Sequence, residues 1–210
     1  MSGSVELFGA EYSVYVRICR IVLAEKGVDY KLHPIDIFAD GGPPREYLDL
    51  NPFGRIPSFR HGTFELYETD AITAYLDEAF DGPELMLRDV QARARARQIM
   101  RLADAEIYKH LVWGVYVPWK NKEAMPGLER ADLIMGELQR LAGDNWMAGD
   151  QFSLADAYVY PMLAYFSLVP EGAAKLAQFT RLALWMEQMR ELNSVIFSRF
   201  PEEKSRAGSL

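Results

Sequence analysis

The pattern of hydrophobic and polar positions divides this chain into two parts with different periods. Over residues 1–80, short apolar runs of strand length alternate with stretches in which apolar residues recur every three or four positions. After residue 88 only the helical period remains. The pattern therefore predicts an α/β layer followed by an all-α region, with the turn-rich segment 81–87 as a linker between domains at 1–80 and 88–210.

Within the first part, the order of elements is predicted as β-α-β-α-β-β-α. Strands are expected at 5–9, 30–36, 56–60 and 63–68, and helices at 14–26, 45–50 and 69–79. The second part predicts helices at 89–117, 127–142, 153–169 and 178–197, with a frayed tail from Glu202. The longest uncharged apolar stretch, 157–170, is too short to span a bilayer, which needs about 20 residues, and we expect it to be a buried helix.

Charge and cysteine content narrow the possible partners. The net charge is −7 and the pI is near 5.1, so neither nucleic acid nor an anionic membrane is expected to bind. Cys19 is the one cysteine, so no internal disulfide can form, and we expect a core residue in a cytoplasmic protein. The amino terminus is not expected to carry a signal peptide. The histidines, His33, His61 and His110, lack metal-ligand spacing, so no metal is predicted.

The segment NPFGRIP, residues 51–57, places a proline at the head of a predicted edge strand. A cis Ile56-Pro57 bond there would turn the backbone N–H and C=O of Ile56 outward, so that an extended peptide could dock as one more strand. An ordinary trans turn proline is the other interpretation. The local sequence leaves both open.

Four groups of residues carry a resemblance to a known family. They are LFG (7–9) with Ser13, Arg17 and AEKG (24–27); NPFGRIP (51–57); YETDAITAYL (67–76); and FSLADAYVYP (152–161). With these motifs the chain resembles the cytosolic glutathione transferases over essentially its whole length. The resemblance implies a thioredoxin-like amino-terminal domain with cis-Pro57, an all-helical second domain, glutathione as co-substrate, a cytoplasmic homodimer and a role in detoxification.

The same resemblance implies a glutathione-binding site. Ile56 would pair its backbone with the cysteinyl unit beside Arg55 and Pro57, while Glu68 and Thr69 would hold the γ-glutamyl end. Thr69 is expected at a helix N-cap, where the first amides and the helix dipole favour a carboxylate. The alternative is that Thr69 and the residue after it only cap the helix.

Two neighbouring hydroxyl groups could activate the thiol of glutathione. Ser13 matches the catalytic hydroxyl of the serine-type branches and would donate a hydrogen bond to the thiolate at a helix N-terminus. Tyr12 could supply the same bond, and Ser13 could instead only cap the helix. We favour Ser13. Because cysteine is absent from that position, the resemblance indicates a transferase or peroxidase and not a thiol–disulfide reductase.

Other positions depart from the family or fill out the site. Many relatives place Lys or His where Gly42 and Pro43 stand, to grip the glycyl carboxylate, and Arg45 or Arg55 could substitute. The paired serines and cysteine of the zeta-type isomerases are replaced by Tyr12-Ser13-Val14-Tyr15. An apolar electrophile pocket is expected from Tyr12, Tyr108, Val112, Trp113 and Tyr116, although the last four could equally be ordinary core.

Ser153 and Asp156 form a capping-box pattern at the start of the apolar helix, so Asp156 is predicted to be structural. Taken together, the sequence predicts a glutathione S-transferase that presents an activated thiolate to a small apolar electrophile or a peroxide. The alternative is a non-catalytic interaction protein of the stringent starvation protein A type, which resembles the same family.

Overall fold

The computed structural model describes residues 3–207, with side chains described as far as Ser205. These residues form two compact units, one of residues 3–84 together with 193–207 and one of residues 85–192. The first boundary between the units, after Glu84, falls inside the segment 81–87 that was predicted as the linker. The residues after Leu192, which the sequence assigned to the helical domain, lie with the first unit.

The first unit is built on a four-stranded sheet in the order β2-β1-β3-β4. Its strands are β1 Val5–Gly9, β2 Lys31–Pro34, β3 Ser58–His61 and β4 Phe64–Tyr67, and its helices are α1 Val14–Glu25, α2 Tyr47–Leu50 and α3 Thr69–Ala79. β1 pairs in parallel with β2 and antiparallel with β3, which is antiparallel to β4. The predicted thioredoxin-like domain is confirmed.

Alternation along β1 shows how the sequence forms this layer. Val5, Leu7 and Gly9 are buried, whereas Glu6 and Phe8 between them are partly exposed. On the buried side, α1 and α3 pack against each other. Because one face of the strand is buried and the other is partly exposed, its register is fixed.

One expectation about the sheet is wrong. β3 lies between β1 and β4, so it is an interior strand and not the edge strand that was expected. It begins at Ser58, after Pro57, because a proline has no N–H to donate to the ladder.

All regular secondary structure of the second unit, residues 85–192, is helical. Its elements are α4 Val90–Leu102, a π-helical segment Ala103–Tyr116, α5 Val117–Asn121, α6 Leu128–Leu141, α7 Leu154–Leu168, α8 Pro170–Leu176 and α9 Thr180–Arg190. α7 is buried on nearly every side and contacts α4, the π-helical segment and α8. The expected buried helix over 157–170 is therefore confirmed to Leu168, followed by a break at Val169.

Two predicted helices are divided. The long helix at 89–117 changes to i→i+5 bonding over Ala103–Tyr116; for example, the N–H of Val117 bonds to the carbonyl of Val112. The helix at 178–197 ends at Arg190, where Glu191 and Leu192 close the last turn with bonds three residues back.

The chain then forms two short helices in the first unit, α10 Asn193–Phe197 and α11 Pro201–Ala207. The frayed tail expected from Glu202 is wrong as far as Ala207. Among the described residues, none of the helices has the length and apolar character needed to cross a membrane.

Candidate functional site

The NPFG segment is a turn that holds the carbonyl group of Arg55. Asn51 donates from Nδ2 to that oxygen at 2.8 Å and accepts at Oδ1 from the N–H of Phe53 at 3.1 Å. Tyr47 donates its hydroxyl to the same carbonyl at 2.6 Å. Gly54 closes the turn with φ +60°, which favours glycine. This network fixes the backbone on the amino-terminal side of Ile56.

The bond between Ile56 and Pro57 is cis, as the family resemblance implied. The side chain of Ile56 is buried, with 8% of its surface exposed. Among the described residues, the backbone N–H and C=O of Ile56 take part in no hydrogen bond, because the pairing of β3 with β1 begins two residues later. An extended peptide has both groups available to it.

Glu68 and Thr69 lie at the start of α3, but the helix cap is one residue earlier than expected. Glu68 occupies the cap position and Thr69 is the first helical residue, so the expected N-cap role of Thr69 is wrong. Glu68 has φ +71°, an uncommon conformation for a residue other than glycine, and such positions cluster at ligand sites. Its side chain is exposed and makes no cap bond, which leaves the first amides of α3 without a side-chain cap. A carboxylate suits this helix end.

Ser13 caps α1. Its Oγ accepts a hydrogen bond of 3.3 Å from the N–H of Val16, and its carbonyl accepts from Arg17 at 3.0 Å. A serine hydroxyl has one hydrogen to donate and two lone pairs to accept. Since the cap bond uses a lone pair, the capping role and a donor role toward a thiolate are compatible.

The hydroxyl of Tyr12 is engaged elsewhere in the first unit. It donates to Oδ1 of Asp36 at 2.8 Å. Burial of the phenol, and then the hydrogen bond and the negative charge of Asp36, raise the pKa of Tyr12 to about 12. The backbone N–H of Phe38 and the Tyr12 hydroxyl in turn lower the pKa of Asp36. Sequence reasoning missed Asp36 because it lies 24 residues from Tyr12 and no local pattern connects them.

The two candidate arginines both have exposed side chains. Arg55 follows the NPFG turn, and Arg45 lies in the turn that leads into α2. A methyl group added at Gly54 would lie 3.3 Å from Cγ of Pro43, so the loop that carries Pro43 lies against the NPFG turn. Both arginines therefore belong to the same part of the first unit.

The four expected pocket residues of the second unit divide by exposure. Val112 and Tyr116 are buried, and the Tyr116 ring stacks on Tyr165 of α7 with centroids 4.1 Å apart. Trp113 is 45% exposed and meets Tyr108 edge to face with centroids 6.4 Å apart. Burial raises the pKa of Tyr108. The exposed part of this group is thus Trp113 with the partly buried Tyr108.

Two other sequence predictions concern residues outside the candidate site. Cys19 is fully buried and burial raises the pKa of its thiol, so its place in the core is confirmed. Among residues 3–207, no three acidic, histidine or cysteine side chains lie so that they could hold a metal ion.

The chain matches two family descriptions, the amino-terminal domain of glutathione S-transferase over residues 7–84 and its carboxy-terminal domain over residues 90–188. The maleylacetoacetate isomerase of Pseudomonas aeruginosa is 34% identical over 154 residues, which are 69% of this chain and 73% of that protein. The stringent starvation protein A homolog of Haemophilus ducreyi is 32% identical over 162 residues, 76% of this chain and 73% of that protein.

Solved structures show the same fold. Glutathione transferase F7 from Populus trichocarpa aligns with a TM-score of 0.80 over 92% of this chain and 97% of that chain, at 23% sequence identity. The motifs, the thioredoxin-like sheet, the cis proline and the relatives agree. The chain belongs to the glutathione S-transferase family, as its sequence predicted, and is an enzyme of the glutathione transferase class.

Proposed function

We propose that this protein binds glutathione along Ile56 and the start of α3, lowers the pKa of its thiol with the Ser13 hydroxyl, and presents the thiolate to a small apolar electrophile or a peroxide. The observation that carries the proposal is the position of Ser13 at the N-terminus of α1. There its cap bond still leaves the hydroxyl hydrogen to donate. Glutathione would lie with its cysteinyl backbone along Ile56.

The magnitude of the effect follows from the bond that Ser13 would make. A free thiol has a pKa near 8.5 and is mostly protonated at neutral pH. A hydrogen bond to a charged group contributes about 1.5–3 kcal/mol, which corresponds to a pKa lower by about one to two units. The positive end of the α1 dipole acts in the same direction. A bound thiol would then be largely ionised at neutral pH.

The γ-glutamyl end of glutathione carries a carboxylate and an ammonium group. The uncapped amides at the start of α3 suit the carboxylate, and the exposed carboxylate of Glu68 suits the ammonium. Many relatives bind the glycyl carboxylate with a basic residue where this chain has Gly42 and Pro43. Here Arg55 or Arg45 would bind it instead.

A cytoplasmic homodimer is part of the same proposal. Phe53 is 66% exposed and lies edge to face with Tyr67, with ring centroids 5.9 Å apart, on the surface of the first unit. Aromatic side chains are enriched in protein interfaces, so these two rings suit contact with a second copy of the chain. The single buried thiol of Cys19 fits a reducing compartment.

Substitution of each hydroxyl separately tests the choice of activating group. The thiolate absorbance of bound glutathione is followed across pH for the wild type, Ser13→Ala and Tyr12→Phe. We expect Ser13→Ala to raise the bound thiol pKa by about one unit or more and to lower turnover at neutral pH about tenfold. Tyr12→Phe should change neither, because the Tyr12 hydrogen is donated to Asp36. The reverse pattern would exclude Ser13.

A second function has a specific observation in its favour, which is the 32% identity with a stringent starvation protein A homolog. Under that alternative the fold serves as an interaction module without catalysis. Saturable binding of glutathione with a lowered thiol pKa supports the transferase. Absence of binding at millimolar glutathione supports the interaction module.

A further inference from the structure

The segment after Leu192 packs against α1, although it lies beyond residues 7–84 and 90–188, which the family descriptions match. α10 contacts α1, and α11 brings Glu203 to the buried side chain of Arg17 in α1. These two residues are 186 positions apart in the chain. The contact therefore joins a residue inside the first matched range to one that lies after the second.

Arg17 is fully buried. Its guanidinium contacts several residues of the segment 193–207, which we call the tail. Nη1 lies 2.5 Å from Oε2 of Glu203, and Nη2 lies 3.4 Å from Oε1. The Cζ atom lies 4.3 Å from the ring centroid of Phe200. A buried guanidinium is costly unless it is paired and hydrogen-bonded, and a carboxylate is the partner whose geometry matches its fork. Glu203 provides that partner.

The side chain of Glu203 also caps the N-terminus of α11, the helix to which Glu203 belongs. Its Oε2 accepts the N–H of Phe200 at 2.9 Å, three residues earlier, in the manner of a capping box, and Pro201 occupies the first helical position. One carboxylate thus caps α11 and neutralises Arg17. Loss of its charge would weaken both the short helix and its attachment to α1.

Further contacts connect the tail to both ends of α1. Lys204 donates to Glu11, just before the helix, at 3.0 Å, and Ser194 donates its hydroxyl to Glu25, at the last turn, at 2.5 Å. Between them, Arg20 donates to the carbonyl of Phe197 at 3.1 Å. The tail therefore holds α1 along its whole length.

Arg17 lies one turn after Ser13, and its N–H donates to the carbonyl of Ser13 at 3.0 Å. A change in the position of this first turn would move the Ser13 hydroxyl with it. We propose that Arg17 and Glu203 are positioning residues for thiol activation: the tail fixes the first turn of α1, and so the direction of the Ser13 hydroxyl. This role rests on the function proposed above.

Loosening of α1 should affect the pKa of the bound thiol and the affinity for glutathione differently. The tail contacts α1 and Glu11, whereas Ile56 precedes β3 and Glu68 and Thr69 lie at the start of α3. A loosened α1 should therefore raise the bound thiol pKa while leaving the affinity for glutathione largely intact. A general loss of folding would lower both affinity and activity.

The experiment compares Glu203→Gln with Lys204→Met as a matched control on the same helix. Glu203→Gln keeps the size and an acceptor oxygen but removes the charge that pairs with buried Arg17. Lys204→Met breaks a solvated pair, which contributes little. We expect Glu203→Gln to raise the bound thiol pKa by about half a unit to one unit, with the Kd for glutathione within about twofold, and Lys204→Met to change neither.

A double variant, Arg17→Met with Glu203→Met, guards against loss of folding. Replacing both members of a buried pair by apolar side chains is often neutral for stability. We expect this protein to unfold near the wild-type midpoint and still to show the raised thiol pKa. Amide hydrogen exchange at Val16 and Arg17 should be faster in Glu203→Gln.

The outcomes are distinct. A wild-type thiol pKa in Glu203→Gln, despite a lowered unfolding midpoint, would mean that the pair only stabilises the fold and would overturn the positioning role alone. A wild type without saturable glutathione binding would overturn the proposed function, and the positioning role with it.

Discussion

Asp156 is a buried carboxylate on which three segments of the second unit converge. It accepts hydrogen bonds from the N–H of Met147 at 2.8 Å, the N–H and hydroxyl of Ser153 at 2.9 and 2.8 Å, and Nε1 of Trp185 at 2.9 Å. The sequence predicted the contact with Ser153 as a capping box. The bonds from Met147 and Trp185 connect the start of α7 to the preceding loop and to α9, so the residue organises more than its own helix.

Burial raises the pKa of Asp156 to about 6, an effect that outweighs the four donors. Between about pH 4 and pH 6 the folded protein keeps a proton that the unfolded chain has released, so the free energy of unfolding should fall as pH rises across this interval. For this carboxyl alone the fall amounts to up to ~3 kcal/mol, and it ends above about pH 6.

Urea unfolding of the wild type and Asp156→Asn across this range tests the assignment. The amide cannot titrate, so the difference between the two proteins isolates this carboxyl from all others. Asp156→Asn should also be less stable at every pH, by roughly 2–4 kcal/mol near neutrality, because its NH₂ group faces donors. Parallel pH profiles would contradict the raised pKa.

At the scale of the element, Gly127 lets the chain before α6 approach the π-helical segment. Its N–H donates to the carbonyl of Gly114 at 3.0 Å, and a Cβ atom there would lie 1.8 Å from the carbonyl oxygen of His110. The φ of Gly127 is −65°, so the requirement is for space and not for a special backbone conformation. The spacing of apolar residues over 89–117 gave no indication of this contact.

Gly127→Ala should therefore lower the free energy of unfolding by ~3 kcal/mol or more, since backbone atoms must move to admit the methyl group. Gly136→Ala, in the interior of α6, is the matched control. A Cβ there would lie 3.8 Å from the ring of Phe179, an ordinary contact, so the helix should gain about 0.5–1 kcal/mol. Equal effects of the two substitutions in denaturant unfolding would contradict the close approach.

At the scale of the whole molecule, the first unit is discontinuous in sequence. Its sheet, α1 and α3 come from residues 3–84, and its last helices come from residues 193–207. The ion pair between buried Arg17 and partly buried Glu203 joins these two stretches. We therefore expect α10 and α11 to open together with α1 and not with the helices that precede them in the chain.

Native-state hydrogen exchange in increasing denaturant measures this directly, because amides of one cooperative unit share one opening free energy. The amides of Val195 and Lys204 should merge with those of α1 as denaturant rises. If they follow α7 and α9 instead, the tail belongs energetically to the second unit.

Much of the protein could be predicted from its sequence because the signals are local. The period of two along β1, the period of α1 that ends at Gly27, and the Ser153-Asp156 box each act within a few residues. NPFGRIP and YETDAI indicated the family, since the turn and the helix start that they encode are short-range structures.

Only the tertiary structure decided what depends on distant partners. Asp36 engages Tyr12 across 24 residues, β3 becomes an interior strand because β1 pairs with it, and the expected frayed tail is ordered because Glu203 meets Arg17. Such contacts leave no periodic or spacing signal along the chain. A carboxylate and a guanidinium 186 residues apart become partners only when the fold brings them together.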